Sequence, residues 1–239
     1  MVMSSLHTDE ASQPYRDAPY RDALVAEIHQ QAAETAFWTG RDRFKDRVMD
    51  AMGRVPRHEF LPEVTPPSVA YANHPLPIGL GQTISQPYIV ALAAELLDLK
   101  GAERVLEVGA GCGYQAAVLA QLAGEVFAIE RLEPLAHMAQ KTLANLGYSN
   151  VTVTTGDGSK GWAEHAPYDA IVVSACQDGP IPDALIKQLR PGGRMVIPLG
   201  PLAGPQMLHR GVKDPDGNFT HTPVLPVAFV GLVTRPESG

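Results

Sequence analysis

The stretch Glu107-Val108-Gly109-Ala110-Gly111-Cys112-Gly113 constrains this chain more than any other. It lies between Arg104-Val105-Leu106-Glu107-Val108, which reads as a buried strand, and a helical pattern over 114–123. Three alternating glycines let the backbone turn sharply out of a strand. They also let it approach a ligand where an open α/β sheet reverses its strand order. A dinucleotide fingerprint places its third glycine three positions after the second, but here that position is Tyr114. The acid before the loop, Glu107, repels a pyrophosphate and attracts the ammonium of an amino-acid moiety. The pattern therefore favours S-adenosylmethionine over a nicotinamide dinucleotide.

Two further acids fall at successive strand ends. The strand Val126-Phe127-Ala128-Ile129 runs into Glu130, 23 residues after Glu107. A carboxylate there can accept both hydroxyls of a ribose. A third strand, 151–155, is followed by Gly156-Asp157-Gly158, where the Asp can accept from an adenine amino group. Each feature alone has a plainer reading: a tight strand–helix turn, a surface acid, a turn residue. Their joint placement at three strand ends favours a cofactor site.

Around this core, helical patterns cover 22–37 and 42–52, and a Pro-rich stretch from Val55 to Pro87 reads as largely irregular. Ser85-Gln86-Pro87 reads as a helix start. Further helices are expected at 134–146, ended by Gly147, and at 182–189, stopped by Pro191-Gly192-Gly193. Strands are expected at 170–174 and 194–199, followed by an antiparallel tail turning at Asp214-Pro215-Asp216-Gly217. The expected fold is α/β: a Rossmann-like, doubly wound, mostly parallel sheet with antiparallel C-terminal strands. Residues 1–20 are expected to form a flexible arm, and 21–239 one domain. That domain divides into a substrate-covering segment (21–84), a cofactor-binding core (85–200) and the C-terminal strands (201–239).

The 239 residues carry 19 Lys and Arg against 26 Asp and Glu, a net charge of −7. That sign gives no attraction to nucleic acid or an anionic membrane. No apolar run approaches the ~20 residues of a spanning helix, and the opening residues do not read as a signal peptide. A cytoplasmic monomer with neither nucleic-acid nor membrane partner is expected. Cys112 and Cys176 match no zinc spacing or disulfide framework, and neither reads as a nucleophile. His58 and His74 lie near the Pro-rich segment without metal-ligand spacing, so no metal is expected.

Several longer motifs carry a resemblance. They are Val55-Pro56-Arg57-His58-Glu59-Phe60, the run from Pro77 to Pro87 containing Thr83-Ile84-Ser85-Gln86, and Val105 to Gln115. Gly156-Asp157-Gly158, Leu189-Arg190-Pro191-Gly192-Gly193-Arg194 and Val196-Ile197-Pro198 complete the set. Together, over about residues 42–233, the sequence resembles the protein-L-isoaspartate O-methyltransferases. The glycine loop is shared by many methyltransferases, whereas Thr-Ile-Ser-Gln-Pro is the specific part. The resemblance implies methyl transfer to the free carboxyl of isoaspartyl (or D-aspartyl) residues in damaged proteins, with the ester collapsing to a succinimide. It implies Ser85 as the catalytic residue and Thr83, Ile84, Ser85, Glu107, Gly109, Gly111, Glu130, Asp157 and Gly158 around the cofactor. Ile78, Gly79, Val196, Ile197 and Pro198 are candidates for holding substrate backbone, with loop and core strand as their plainer roles. Ser85 can be a helix cap, a hydrogen-bond donor to a carboxylate, or both. Two segments depart from the family pattern: Val173-Ser174-Ala175-Cys176-Gln177, and Phe229-Val230-Gly231-Leu232, which lacks a proline before its Leu. Methylation of aspartate in one dedicated peptide, and a cofactor-binding protein without catalysis, are the competing readings.

Overall fold

The computed structural model describes residues 17–233. Helices α1 (Ala18–Glu34), α2 (Ala36–Thr39), α3 (Asp46–Arg54) and α4 (Pro67–Ala70) lead into a hairpin of β1 (Leu76–Gly79) and β2 (Gln82–Ile84). Then come α5 (Pro87–Leu97), β3 (Arg104–Val108), α6 (Tyr114–Ala120), β4 (Glu125–Glu130), α7 (Glu133–Asn145) and β5 (Val151–Thr155). The chain continues through β6 (Tyr168–Val173), α8 (Asp183–Gln188), β7 (Leu189–Leu199), β8 (Gln206–Lys213) and β9 (Phe219–Val227). Strands β3 to β9 form one sheet in the order β5-β4-β3-β6-β7-β8-β9. Neighbours from β5 to β7 pair in parallel, and β8 and β9 add antiparallel.

The inner strands are apolar at nearly every position because each face of the sheet meets its own core. Val126, Ala128, Val172 and Val196 enter one core together with Leu24 and Ile28 of α1, Met52 of α3 and Leu92 of α5. Their neighbours Phe127, Ile129, Ile171, Val173, Met195 and Ile197 enter the other, with Leu185 of α8. This period of two fixes the register: a one-residue slip would exchange the faces.

Three local expectations shift. Ala18 to Tyr20, placed in the expected arm, open α1, with Pro19 in the first turn where its missing N–H is harmless; residues 1–16 lie outside the described residues. The Pro-rich stretch contains the β1–β2 hairpin, turned at Gly79, Leu80 and Gly81 with φ of +91°, +52° and +72°. Pro191-Gly192-Gly193 lies within β7 instead of only stopping a helix, and the pairing with β6 shifts register between Tyr168 and Ala170.

The segment from Arg57 to His74 is fastened by a buried cation. Arg57 has no exposed surface. Its Nε donates to the Ala70 carbonyl at 2.9 Å and Nη2 to the His74 carbonyl at 3.2 Å. The guanidinium lies 4.9 Å from the centre of the Tyr114 ring, at the start of α6 and directly behind the glycine loop. Burial pulls its pKa down from the usual arginine value. Arg57→Met should lower unfolding free energy by about 2–4 kcal/mol, since two buried carbonyls lose a charged donor. Urea denaturation measures this, and a loss below about 0.5 kcal/mol would place the hold elsewhere.

Candidate active site

The carboxyl ends of β3, β4 and β6 converge where the sheet order reverses about β3. They enclose a cleft of about 290 Å³ lined by Gly109 and Gly111 of the loop, Glu130, Gly158 and Ser174. Thr83 from the hairpin and Val230 to Val233 from the C-terminal segment close its sides. Gly109, Gly111 and Gly113 have φ of +87°, +54° and +91°, the left-handed region that glycine enters without strain. Gly158 is required for a different reason. A Cβ there would lie 2.4 Å from Val108 Cγ1, so a side chain would displace the end of β3.

Glu130 holds the loop in shape. Its Oε2 accepts from the Gly111 N–H at 2.8 Å and its Oε1 from the Leu132 N–H at 2.9 Å. A carboxylate accepts about four hydrogen bonds, so capacity toward the cleft is left for a diol.

Glu107 is only 1% exposed and lies on β3 between Ala128 of β4 and Val172 of β6. The Ser174 hydroxyl donates to its Oε1 at 3.5 Å, and Oε2 has no hydrogen-bond partner among the described residues. Burial, reinforced by the charge of Glu130, pushes its pKa well above the ordinary glutamate value of 4.5.

Asp157 accepts at Oδ1 from the Ser159 N–H at 3.1 Å and the Ser159 hydroxyl at 2.7 Å. With Arg131, Thr155, Gly156 and Lys160 it lines a separate hollow of about 340 Å³ past the ends of β4 and β5.

Ser85 follows β2 and is half-buried. It is not the cap of α5: that position is Gln86, with Pro87 beginning the helix and no side-chain capping bond. Ser85 instead lines a groove of about 650 Å³ with Gln31, Trp38, Ile89 and Phe229. Thr83, Ser174 and Val230 line both this groove and the cleft. Thr83, Ile84 and Ser85 also meet Glu107 and the glycine loop in a small recess between them.

The other substrate-holding candidates fall elsewhere. Ile78 is buried and packs toward Gly111, where an added Cβ would lie 3.4 Å from its Cδ1. Gly79 is exposed at the hairpin turn. Val196 and Ile197 have no exposed surface and enter opposite cores, while Pro198 is buried and its carbonyl accepts from the Gln177 N–H at 2.9 Å. An inner strand has neither free edge nor free face, so β7 does not bring these three residues to the groove.

Ser174, Trp38 and the C-terminal segment were not singled out as site residues by the sequence. The signal for two of them lay in the departing segments, which hydrogen-bond to each other. The Cys176 N–H donates to the Val230 carbonyl and the Leu232 N–H to the Cys176 carbonyl, both at 2.7 Å. This pairing places Val230 to Leu232 beside the cleft. Burial pushes the Cys112 thiol to about 11 and raises that of Cys176, so both are unreactive at neutral pH. The His58 ring shares a 2.7 Å hydrogen bond with the Tyr71 hydroxyl. No cluster of three or more His, Cys, Asp or Glu among the described residues is placed to hold a metal ion.

Sheet order, glycine loop and strand-end acids define a Rossmann-like methyltransferase fold with its site at the carboxyl ends of the strands. Over residues 12–237 the chain matches the family described as Protein-L-isoaspartate(D-aspartate) O-methyltransferase, and it belongs to that family. It is 52% identical over 218 residues to protein-L-isoaspartate O-methyltransferase 1 of Cupriavidus necator, covering 91% of this chain and 83% of that one. It is 53% identical over 209 residues to protein-L-isoaspartate O-methyltransferase 2 of a Polaromonas species, covering 87% and 98%. A solved protein-L-isoaspartate O-methyltransferase superposes with a TM-score of 0.75 at 29% identity, over 88% of this chain and 65% of that longer one. A Plasmodium falciparum structure, in complex with S-adenosyl-L-homocysteine, shares the fold with a TM-score of 0.72 at 22% identity over 89% and 98%.

Because its pKa is raised on folding, Glu107 holds its proton more tightly in the ligand-free folded protein than in the unfolded chain. Its contribution to stability is complete below pH 4.5 and is lost as pH rises through the raised folded value. Glu107→Gln cannot ionise and should remove that decline, which is at most about 1.4 kcal/mol per pH unit for one proton. Urea unfolding of both proteins between pH 5 and pH 9 reads the difference. Parallel stability curves would show that burial of Glu107 carries no such cost.

Proposed function

We propose that the protein transfers a methyl group from S-adenosylmethionine to the free carboxyl of an L-isoaspartyl or D-aspartyl residue in a damaged protein. The amide nitrogen of the following residue then attacks the ester carbonyl and expels methanol to close a succinimide, and hydrolysis returns part of it to normal aspartate. The observation that carries this reading is the buried Glu107 carboxyl group, whose Oε2 has no hydrogen-bond partner among the described residues, in the recess where the glycine loop meets Thr83 and Ser85. The relatives' names favour damaged protein over one dedicated aspartyl peptide as the substrate.

The site residues fit the cofactor. The Glu107 oxygen suits the ammonium of its amino-acid end, and Glu130 has acceptor capacity left for a ribose. Gly158 lines the cleft without pushing Val108 aside, and Asp157 is suited to an adenine amino group beyond it. When bound, S-adenosylmethionine supplies an electrophilic methyl group on a sulfonium.

The acceptor carboxyl, with a pKa near 3.9, is ionised at neutral pH, so the protein needs no general base. What remains is alignment and exclusion of water. Ser85 donates a hydrogen bond to one carboxylate oxygen and turns the other toward the opening bounded by Thr83 and Ser174. The hairpin and Val230 to Leu232 cover that opening. Removing water there helps a reaction in which an anion and a cation neutralise each other. Within this reading the chain works as a cytoplasmic monomer without nucleic-acid or membrane partners. The net charge of −7, which gives no attraction to nucleic acid or an anionic membrane surface, supports the last part.

Matched isoaspartyl and aspartyl peptides with radiolabelled S-adenosylmethionine test the reading. Base-labile label is expected on the isoaspartyl peptide, and label on the aspartyl peptide alone would overturn repair. Ser85→Ala should lower kcat about tenfold or more while the cofactor Kd moves less than twofold. Glu130→Ala should weaken cofactor binding at least about tenfold by calorimetry, as a charged acceptor and a clamp on the loop are both lost.

A further inference from the structure

The groove beside Ser85 is far larger than a carboxyl group needs. Its volume of about 650 Å³ leaves most of the space for chain on either side of the acceptor residue. One wall is Leu225 to Val230, at the end of β9, the edge strand of the sheet. Extended peptides commonly bind such an edge through main-chain hydrogen bonds. Here Pro223 and Pro226 remove two donors from β9, which weakens that mode and shifts recognition to side chains.

The facing wall comes from the end of α1 and from α2, which packs against β9. It presents Trp38, 54% exposed, beside Phe37, 91% exposed, with ring centres 5.8 Å apart in an edge-to-face pair. Rings this exposed among the described residues leave a large apolar surface at the mouth of the groove, which marks a recognition site. Continuity names the occupant: Trp38 and Ser85 line one groove, and that groove shares Thr83, Ser174 and Val230 with the cleft.

Resting on the function proposed above, we infer that Trp38 is a specificity-determining residue. It packs against an aromatic or large aliphatic side chain next to the isoaspartyl residue in the substrate, with Phe229 and Ile89 lining the same groove.

Two isoaspartyl peptides differing only in the flanking residues, aromatic in one and glycine in the other, test this with the full-length protein. The wild type should show a higher kcat/KM for the aromatic-flanked peptide, and Trp38→Ala should reduce that ratio about tenfold, mainly through KM. Trp38→Phe should restore most of it. The large exposure of Trp38 makes misfolding a minor concern, and an unchanged cofactor Kd in the variant checks it. Equal kcat/KM for the two peptides in the wild type, or the same ratio in Trp38→Ala, would overturn the inference while leaving repair intact. Label on neither isoaspartyl peptide would instead overturn the function on which it rests.

Discussion

The rest of the site is arranged around a carboxyl group kept out of water, with one oxygen that has no hydrogen-bond partner among the described residues. Glu107 occupies the middle of the parallel region, between β4 and β6, where a hydrophobic residue would pack without cost. Glu130 adds a like charge nearby and raises the cost further. Folding tolerates the arrangement because the β3–β4–β6 core is closely packed on both faces. In the proposed reaction the ammonium of the methyl donor is the cation that offsets it.

Rigidity behind the site keeps that carboxyl group in place. Glu130 clamps the loop through the Gly111 N–H, Gly158 leaves Val108 undisturbed, and Arg57 packs on Tyr114 where the loop becomes helix. The rim of the cleft is formed by the hairpin turn at Leu80 and by the C-terminal segment held through Cys176. Such surface segments are the usual place for variation on a fixed scaffold. It is consistent with this division that the two stretches departing from the family pattern are the ones that pair beside the cleft.

Where side-chain period and backbone chemistry coincide, the sequence was legible. The glycine loop, the acids after it and the alternation in β3, β4 and β6 follow from local rules and lie where expected. Legibility stopped where tertiary contacts decide. Ser85 looked like a cap, but Pro87 at the first helical position makes Gln86 the flanking residue. Val196 to Pro198 looked available to substrate, yet two neighbouring strands and two cores enclose them, which no local pattern reveals. The Cys176–Val230 pairing joins distant parts of the chain, and α2 is too short for a periodic signal, so Ser174, Val230 and Trp38 emerged only from the structure.

The central claim is that Glu107 becomes an ion when it meets the ligand's ammonium. Calorimetry of S-adenosylhomocysteine binding, in buffers of different ionisation enthalpy between pH 6 and pH 8, measures this directly. The product carries the same amino-acid end as the methyl donor. The account predicts a net proton release, at most one per molecule bound, that is absent in Glu107→Gln. A binding enthalpy independent of buffer across that range, or a release that persists in Glu107→Gln, would contradict it.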